Sequence, residues 1–158
     1  GQLPPTLDGI DYIRRSYPGD YAGIMWLRDN AEPGAVVLEA VGGAYSYYGR
    51  VSSATGLPTV IGWANHERQW RGPLYDSLAG TREQDVREIY STQSYLRAQE
   101  LLQQYGVTYV FVGSLEGDGA YAPLAGIQKF DRFLTAVYRG DSVTIYRADR
   151  PLTAEEQP

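Results

Sequence analysis

The chain has 158 residues, a formal net charge of −5 and a hydrophobic content of 43%. This length suits one domain, and 14 Tyr, 3 Trp and 3 Phe supply too much apolar surface for a disordered polar chain. The acidic balance argues against a nucleic-acid partner, which needs a basic face. The lack of Cys excludes disulfides, thiolate metal sites and thiol nucleophiles, and a single His excludes most multi-histidine metal centres.

The first predicted helix runs from Tyr21 to about Ala31, with Asp20 as its N-cap. Pro33-Gly34 ends it. The continuous apolar run Ala35–Val41 then predicts a buried strand. No apolar run in the sequence approaches the roughly 20 residues that a membrane-spanning helix needs.

A stretch rich in Gly and Tyr separates this strand from a short predicted strand, Thr59–Gly62. Helical spacing then predicts two helices after Thr81, with a break near Ser91–Gln93 and a stop at Gly106. The apolar run Val107–Gly113 predicts a second buried strand.

The pattern changes toward the end of the chain. Phe133–Arg139 and Ser142–Ala148 alternate apolar and polar residues around Gly140-Asp141, which predicts an antiparallel hairpin. Together the elements predict an α/β fold, a three-layer mixed sheet of mainly parallel strands with flanking helices and the C-terminal hairpin. We expect a single domain over residues 1–149 and a disordered acidic tail at 150–158.

Ligands of open α/β sheets bind beyond the carboxyl ends of the parallel strands. The least ordinary residues of this chain follow its three predicted parallel strands, so we expect them to converge on one edge of the sheet. The candidate ligand-binding residues there are Glu39, Tyr45, Tyr47, Tyr48, Arg50, Trp63, His66, Glu67, Trp70, Arg71 and Glu116.

Each candidate has a functional and a structural interpretation. Glu39 is a general base or an acceptor for a sugar hydroxyl, or it pairs with backbone amides or with an arginine, Arg50 or Arg71, to hold the fold. His66 and Glu67 form a proton-transfer pair, or they have a capping or surface role, because adjacent residues on a helix do not face each other. The tyrosine run is a stacking platform for sugar rings, or a loop whose hydroxyls satisfy local backbone groups.

The common catalytic motifs are missing from the sequence. Ser46 lacks the flanking Gly residues of a nucleophile elbow, and neither the phosphate-binding loop nor the dinucleotide fingerprint occurs. A metal site would require Glu39, Glu67, Glu116 and His66 to cluster. The sequence therefore predicts no catalytic residue, metal or cofactor for this chain by itself.

Several of these blocks occur together in a known family. The run from Glu39 through Ala44-Tyr45-Ser46-Tyr47-Tyr48-Gly49-Arg50-Val51-Ser52 resembles the tyrosine motif of the "YYY" family of uncharacterised polytopic membrane proteins. Similar blocks follow in order: Gly56–Trp63, His66-Glu67, Trp70-Arg71-Gly72, Arg82 to Thr92, Tyr105–Gly113 with Glu116, and Lys129-Phe130. The resemblance covers about Pro33 to Tyr146.

The resemblance implies a context more than a reaction. The family is similar to C-type membrane glycosyltransferases, which use polyprenyl-phosphate-linked sugar donors and carry their catalytic carboxylates in the transmembrane portion. The resemblance implies that this chain is a soluble extracytoplasmic domain, tethered to the cell membrane through a transmembrane region that is not part of this chain. Residues 1–19 would lead into the domain from that region. The implied partners are its own transmembrane domain and a glycan, a polyprenyl-phosphate sugar or a polypeptide acceptor.

Three hypotheses follow. In the first, the chain is a non-catalytic domain that binds a saccharide or an acceptor: its aromatic candidates stack on sugar faces, and its charged candidates hydrogen-bond hydroxyl or phosphate groups. In the second, it is a structural module that docks on its own membrane domain, and the polar residues form a buried network. In the third, it is a stand-alone hydrolase that uses Glu39 or Glu67 with His66.

Overall fold

The computed structural model describes residues 7–41, 49–60 and 81–149. Residues 81–91 are helical and are called α4. The other helices are α1 (Leu7–Ser16), α2 (Pro18–Asn30), α3 (Arg50–Thr55), α5 (Tyr95–Gln104), α6 (Leu124–Gln128) and α7 (Phe130–Phe133). The strands are β1 (Val37–Leu38), β2 (Tyr109–Val112), β3 (Thr135–Gly140) and β4 (Val143–Arg147).

The four strands form one mixed sheet in the order β1-β2-β4-β3. β1 and β2 run parallel, with Val37 opposite Tyr109, while β4 is antiparallel to both β2 and β3. Thr59 adds a parallel bridge to Val37. The predicted α/β class with a mixed sheet and a C-terminal hairpin is confirmed, whereas the three-layer arrangement and the majority of parallel strands stay predictions.

Two apolar clusters draw on alternate residues of β2, because successive side chains of a strand point to opposite faces. Tyr109 and Phe111 belong to one cluster, together with Ile24 and Leu27 of α2. The other cluster contains the two remaining β2 residues and buried residues of the later helices: Val110, Val112, Tyr90, Leu101 and Phe130. The sheet therefore has an apolar core at each face of β2.

The N-terminal part differs from the prediction. Residues 7–16 form α1, where no helix was predicted, and Ile13 of α1 joins the core cluster that contains α2. α2 begins at Pro18 rather than Tyr21, since the fixed φ of proline suits the first helical turn. The prediction that Asp20 is the N-cap is therefore wrong: Tyr17 occupies that position without a side-chain cap, and Asp20 lies buried in the first turn.

β1 is shorter than the predicted strand, although residues 37–41 are all buried. The reason lies in the backbone hydrogen bonds beyond Leu38. The amide of Ala40 donates to the Glu116 carboxylate at 2.8 Å, and the amide of Val41 donates to the Tyr121 hydroxyl at 3.2 Å. These side-chain acceptors take the place of a neighbouring strand.

The second helix after Thr81 and the C-terminal hairpin lie close to their expected positions, whereas residues 61–62 of the predicted strand Thr59–Gly62 and the predicted tail at 150–158 lie outside the described residues. α5 begins after Ser94, whose side chain accepts from the amide of Arg97, and the following turn reaches Gly106 at a φ of 62°. The hairpin turn lies one residue later than predicted, with Ser142 at a φ of 63°. α6 and α7 are two short helices at positions where the sequence pattern predicts none. No helix in the described ranges has the length and apolar character needed to cross a membrane.

Candidate functional site

The guanidinium of Arg50 meets three carboxylates in the interior. Its Nε donates to Asp20 Oδ2 at 3.0 Å, and its Nη2 donates to Glu116 Oε1 at 2.8 Å. Its Nη1 donates to Glu116 Oε2 at 3.2 Å and to Glu39 Oε1 at 3.4 Å. All four side chains are at most 3% exposed, so this is a buried ion network rather than a surface salt bridge.

The fold brings the four residues from distant parts of the chain to one end of the sheet. Glu39 directly follows β1, and Glu116 lies in the turn after β2, so both stand at the carboxyl ends of the parallel pair. Arg50 is the first residue of α3, and Asp20 lies in the first turn of α2. Three of the predicted site residues, Glu39, Arg50 and Glu116, are thereby brought together.

Backbone amides complete the coordination of each carboxylate. Glu39 accepts from the amides of Val51 at 3.1 Å and Ser52 at 2.9 Å, which are the free donors at the start of α3. Glu116 accepts from the amides of Ala40 and Gly113, at 2.8 and 2.9 Å. These contacts fix the strand ends relative to α3.

Asp20 is held from the turn after β2. It accepts from the amide of Ser114 at 2.9 Å and from the Ser114 hydroxyl at 2.5 Å. The role of Asp20 in the network is not among the predictions from the sequence. The signal was present: Asp20, Gly23, Ile24 and Leu27 are the buried residues of α2, and they follow the i, i+3, i+4, i+7 spacing of one helix face.

Close packing surrounds the guanidinium. Arg50 lies over the ring of Phe111, with 5.1 Å from Cζ to the ring centroid. A Cβ atom on Gly113 would lie 2.4 Å from Asp20 Oδ1 and 3.1 Å from Arg50 Nη2. Glycine is therefore required there for close approach.

Tyr90 of α4 contacts β1 and β2 close to the same ends. It belongs to the apolar cluster that contains Val110 and Val112. Its hydroxyl lies 3.0 Å from the carbonyl oxygen of Leu38 and 2.8 Å from that of Phe111. Burial, followed by the nearby charge of Glu116, raises the pKa of Tyr90 well above its ordinary value, so the hydroxyl keeps its proton and donates.

Burial also dominates the titration of Glu39. It raises the pKa of Glu39 to about 7 from its ordinary value of 4.5, against the opposing effect of the Arg50 guanidinium. Burial lowers the pKa of Arg50, but the carboxylates, led by Glu116, raise it above its ordinary value, so the guanidinium stays charged.

A second buried cation lies near the end of α4. Lys129, the chain's single lysine, donates through Nζ to the carbonyl oxygens of Ile89 at 2.5 Å and Gly126 at 2.7 Å. Burial lowers the pKa of Lys129 to about 7. Its Nζ lies 4.1 Å from the centroid of the Phe130 ring. Lys129 thus donates hydrogen bonds to carbonyl groups of both α4 and α6 and holds these two helices together.

The Arg50 network has the chemistry of a structural junction. Both oxygens of Glu39 and both of Glu116 accept hydrogen bonds from Arg50 or from backbone amides. Within residues 7–41, 49–60 and 81–149, no group of three or more His, Asp or Glu side chains is arranged to hold a metal ion. Eight predicted site residues lie outside the described residues: Tyr45, Tyr47, Tyr48, Trp63, His66, Glu67, Trp70 and Arg71.

We compared the chain with models of known protein families, with curated proteins and with solved structures. None of the three comparisons gave a match.

Proposed function

We propose that this chain is a non-catalytic recognition domain in which the Arg50 network holds the fold and aromatic residues contact the ligand. The main support for this proposal is that Glu39, Arg50 and Glu116 are buried and hydrogen-bonded to one another and to backbone amides. Contact with a saccharide or an acceptor is then left to the other predicted site residues. Their aromatic members are Tyr45, Tyr47, Tyr48, Trp63 and Trp70.

Chain connectivity links the network to the tyrosine segment, defined as residues 42–48. This segment joins Val41 to Gly49. On its two sides, Glu39 accepts hydrogen bonds from Arg50, Val51 and Ser52. The two flanks of the tyrosine segment are therefore fastened to each other, which supports a role for the network in presenting the segment.

The wider context of the proposal comes from the family resemblance. The domain would lie on the extracytoplasmic face of the cell membrane, tethered through a transmembrane region, and would serve a glycosyltransferase-like protein that uses polyprenyl-phosphate sugars. Its own transmembrane domain would be a further partner. A three-layer architecture with mainly parallel strands belongs to the same proposal.

Glycan titration tests the recognition role. Calorimetry of the chain with mono- and oligosaccharides up to millimolar concentration is expected to give saturable heats. Tyr48→Ala and Trp63→Ala are each expected to weaken binding about five- to thirtyfold, since a lost stacking face costs on the order of 1–2 kcal/mol. Tyr12→Ala, at a tyrosine that is 52% exposed on α1, is the matched control and should bind like the wild type. Absence of binding, or equal binding by all variants, would contradict the proposal.

A second candidate is the structural module that docks on its own membrane domain. It is favoured by the contacts of Glu39 and Glu116, because both oxygens of each carboxylate already accept from Arg50 or from backbone amides. If the chain is such a docking module, millimolar saccharide is expected to leave its melting temperature unchanged. If it is a saccharide-binding domain, the melting temperature should rise, because a ligand that binds only the folded chain stabilises it.

The hydrolase hypothesis requires Glu39 or Glu67 to act with His66. Glu39 accepts hydrogen bonds from the amides of Val51 and Ser52 and is 3% exposed, which disfavours its contact with a substrate as a general base. Hydrolysis of saccharide substrates that is abolished by His66→Ala, in a variant that stays folded, would favour the hydrolase over both other functions.

A further inference from the structure

The buried network carries unequal numbers of negative and positive charges. Asp20, Glu39 and Glu116 meet one cation, Arg50, within the described part of the chain. Fully ionised, these four side chains would sum to −2. Each charge removed from water costs several kcal/mol unless an opposite charge or hydrogen bonds compensate it. Uptake of one proton by a carboxylate is the simplest way to reduce the excess.

The contacts of the three carboxylates single out Glu39. Glu116 binds the guanidinium through both oxygens, and Asp20 binds Nε at 3.0 Å while accepting two hydrogen bonds from Ser114. Glu39 makes one longer contact with the guanidinium, at 3.4 Å, and its other donors are the neutral amides of Val51 and Ser52. Glu39 therefore has the weakest compensation for a negative charge.

We propose that Glu39 is the proton-binding group of this network: the folded protein holds a proton there under mildly acidic conditions and releases it near neutral pH, which changes the hydrogen bonds between the end of β1 and the start of α3. This property belongs to the fold and holds whether or not the chain binds a saccharide.

The surroundings of Glu39 support this assignment from each neighbouring element. Asp20 of α2 and Glu116 after β2 add negative charge, and Arg50 of α3 adds the compensating positive charge. The Tyr90 hydroxyl, whose pKa burial raises well above its ordinary value, keeps its proton and adds no charge. Burial, the largest effect on Glu39, raises its pKa to about 7 despite the guanidinium.

Protonation has a local consequence at two amides. A carboxylate accepts at both oxygens, whereas a carboxylic acid has one hydroxyl oxygen, which is a poorer acceptor. Loss of the proton is therefore expected to strengthen the hydrogen bonds from Val51 and Ser52. The amide proton resonances of Val51 and Ser52 should move together as Glu39 titrates.

Nuclear magnetic resonance tests the proposal directly on the whole chain. The carboxyl ¹³C shift of Glu39 and the amide shifts of Val51 and Ser52 are followed between about pH 4 and 9, a range that brackets ordinary and raised carboxyl pKa values. We expect all three signals to share one midpoint near pH 7. In Glu39→Gln, the amide titration should vanish. In Glu83→Gln, which removes an exposed carboxylate of α4, it should remain.

A Glu39 carboxyl midpoint below about pH 6, closer to that of an ordinary glutamate, would overturn the proposal. So would amide shifts of Val51 and Ser52 that stay flat while Glu39 titrates, or that titrate unchanged in Glu39→Gln. If Glu39→Gln fails to fold, the carboxyl midpoint in the wild type and its agreement with the two amide midpoints decide the outcome.

Discussion

Glu116 holds Arg50 through two hydrogen bonds, at 2.8 and 3.2 Å, although the residues are 66 positions apart in the sequence. The pair links the turn after β2 to the first residue of α3. Both side chains are almost completely buried, so neither charge has water as a substitute partner. Loss of one partner therefore leaves an uncompensated charge in the interior.

Replacing Arg50 is expected to be strongly destabilising. Arg50→Met keeps an unbranched side chain but leaves Asp20, Glu39 and Glu116 without their cation, which should lower the free energy of unfolding by about 3–5 kcal/mol. Urea denaturation followed by tryptophan fluorescence measures this loss. The matched control is Arg14→Met, because Arg14 pairs with Asp11 on the exposed face of α1.

Arg14→Met should change the free energy of unfolding by no more than about 0.5 kcal/mol. Equal small effects in Arg14→Met and Arg50→Met would mean that the buried network does not hold the fold.

Gly113→Ala tests the close packing around the network. The added Cβ would lie 2.4 Å from Asp20 Oδ1 and 2.6 Å from an edge atom of the Phe111 ring, so the ion network must shift. We expect a loss of about 3 kcal/mol in the free energy of unfolding. Gly34→Ala is the control: Gly34 has a φ of +81° but open space around it, so only backbone strain of about 1 kcal/mol is expected. A smaller loss for Gly113→Ala than for Gly34→Ala would show that the packing around Gly113 is not close.

Tyr90→Phe removes a single hydroxyl between the parallel strands. The carbonyl oxygens of Leu38 and Phe111 then lose a buried donor, and we expect about 1–3 kcal/mol of destabilisation. Tyr95→Phe, at a half-exposed tyrosine of α5, should change the stability by about 0.5 kcal/mol or less. Thermal unfolding of the two variants compares them, and indistinguishable melting temperatures would refute the role given to the Tyr90 hydroxyl.

Glu39 should make the stability depend on pH in a defined direction. Its pKa is raised to about 7 in the folded chain from 4.5, so the folded state binds more protons than the unfolded state between these values. The contribution of Glu39 to the free energy of unfolding is fully present below pH 4.5 and is lost as the pH rises to about 7. Glu39→Gln resembles the protonated form and lacks this decrease.

The difference in unfolding free energy between Glu39→Gln and the wild type should therefore grow in favour of the variant from pH 4.5 to 7, by up to about 3 kcal/mol. Urea titrations at several pH values measure this difference. A difference that stays constant, or that changes in favour of the wild type, would show that the Glu39 pKa is not raised by folding.

The sequence predicted the elements whose signal is local. The buried strand Val107–Gly113 and the alternation around Gly140-Asp141 correspond to β2 and to the β3–β4 hairpin, because apolar periodicity reports directly on burial. The break at Ser91–Gln93 and the stop at Gly106 were also located correctly, since caps and glycine depend on a few neighbouring residues.

Features that depend on distant residues could not be predicted in the same way. Val36–Val41 has a uniform apolar pattern around Glu39, yet β1 ends at Leu38 because Glu116, 76 positions after Ala40, takes the Ala40 amide. Asp20 fits an N-cap by local rules, and only the approach of Arg50 and Ser114 explains its burial. The interpretation of Glu39 as a partner of Arg50 was among the alternatives, but the sequence alone could not choose it.

A double-mutant cycle between Arg50 and Glu116 tests most directly whether the buried network holds the fold. The free energy of unfolding is measured for the wild type, Arg50→Gln, Glu116→Gln and the double variant in urea at one pH. We expect the two single losses to sum to at least about 1 kcal/mol more than the loss in the double variant, because each single change strands the other side chain. Losses that add within about 0.5 kcal/mol would show that the two residues act independently, and would contradict the network as the structural junction of this domain.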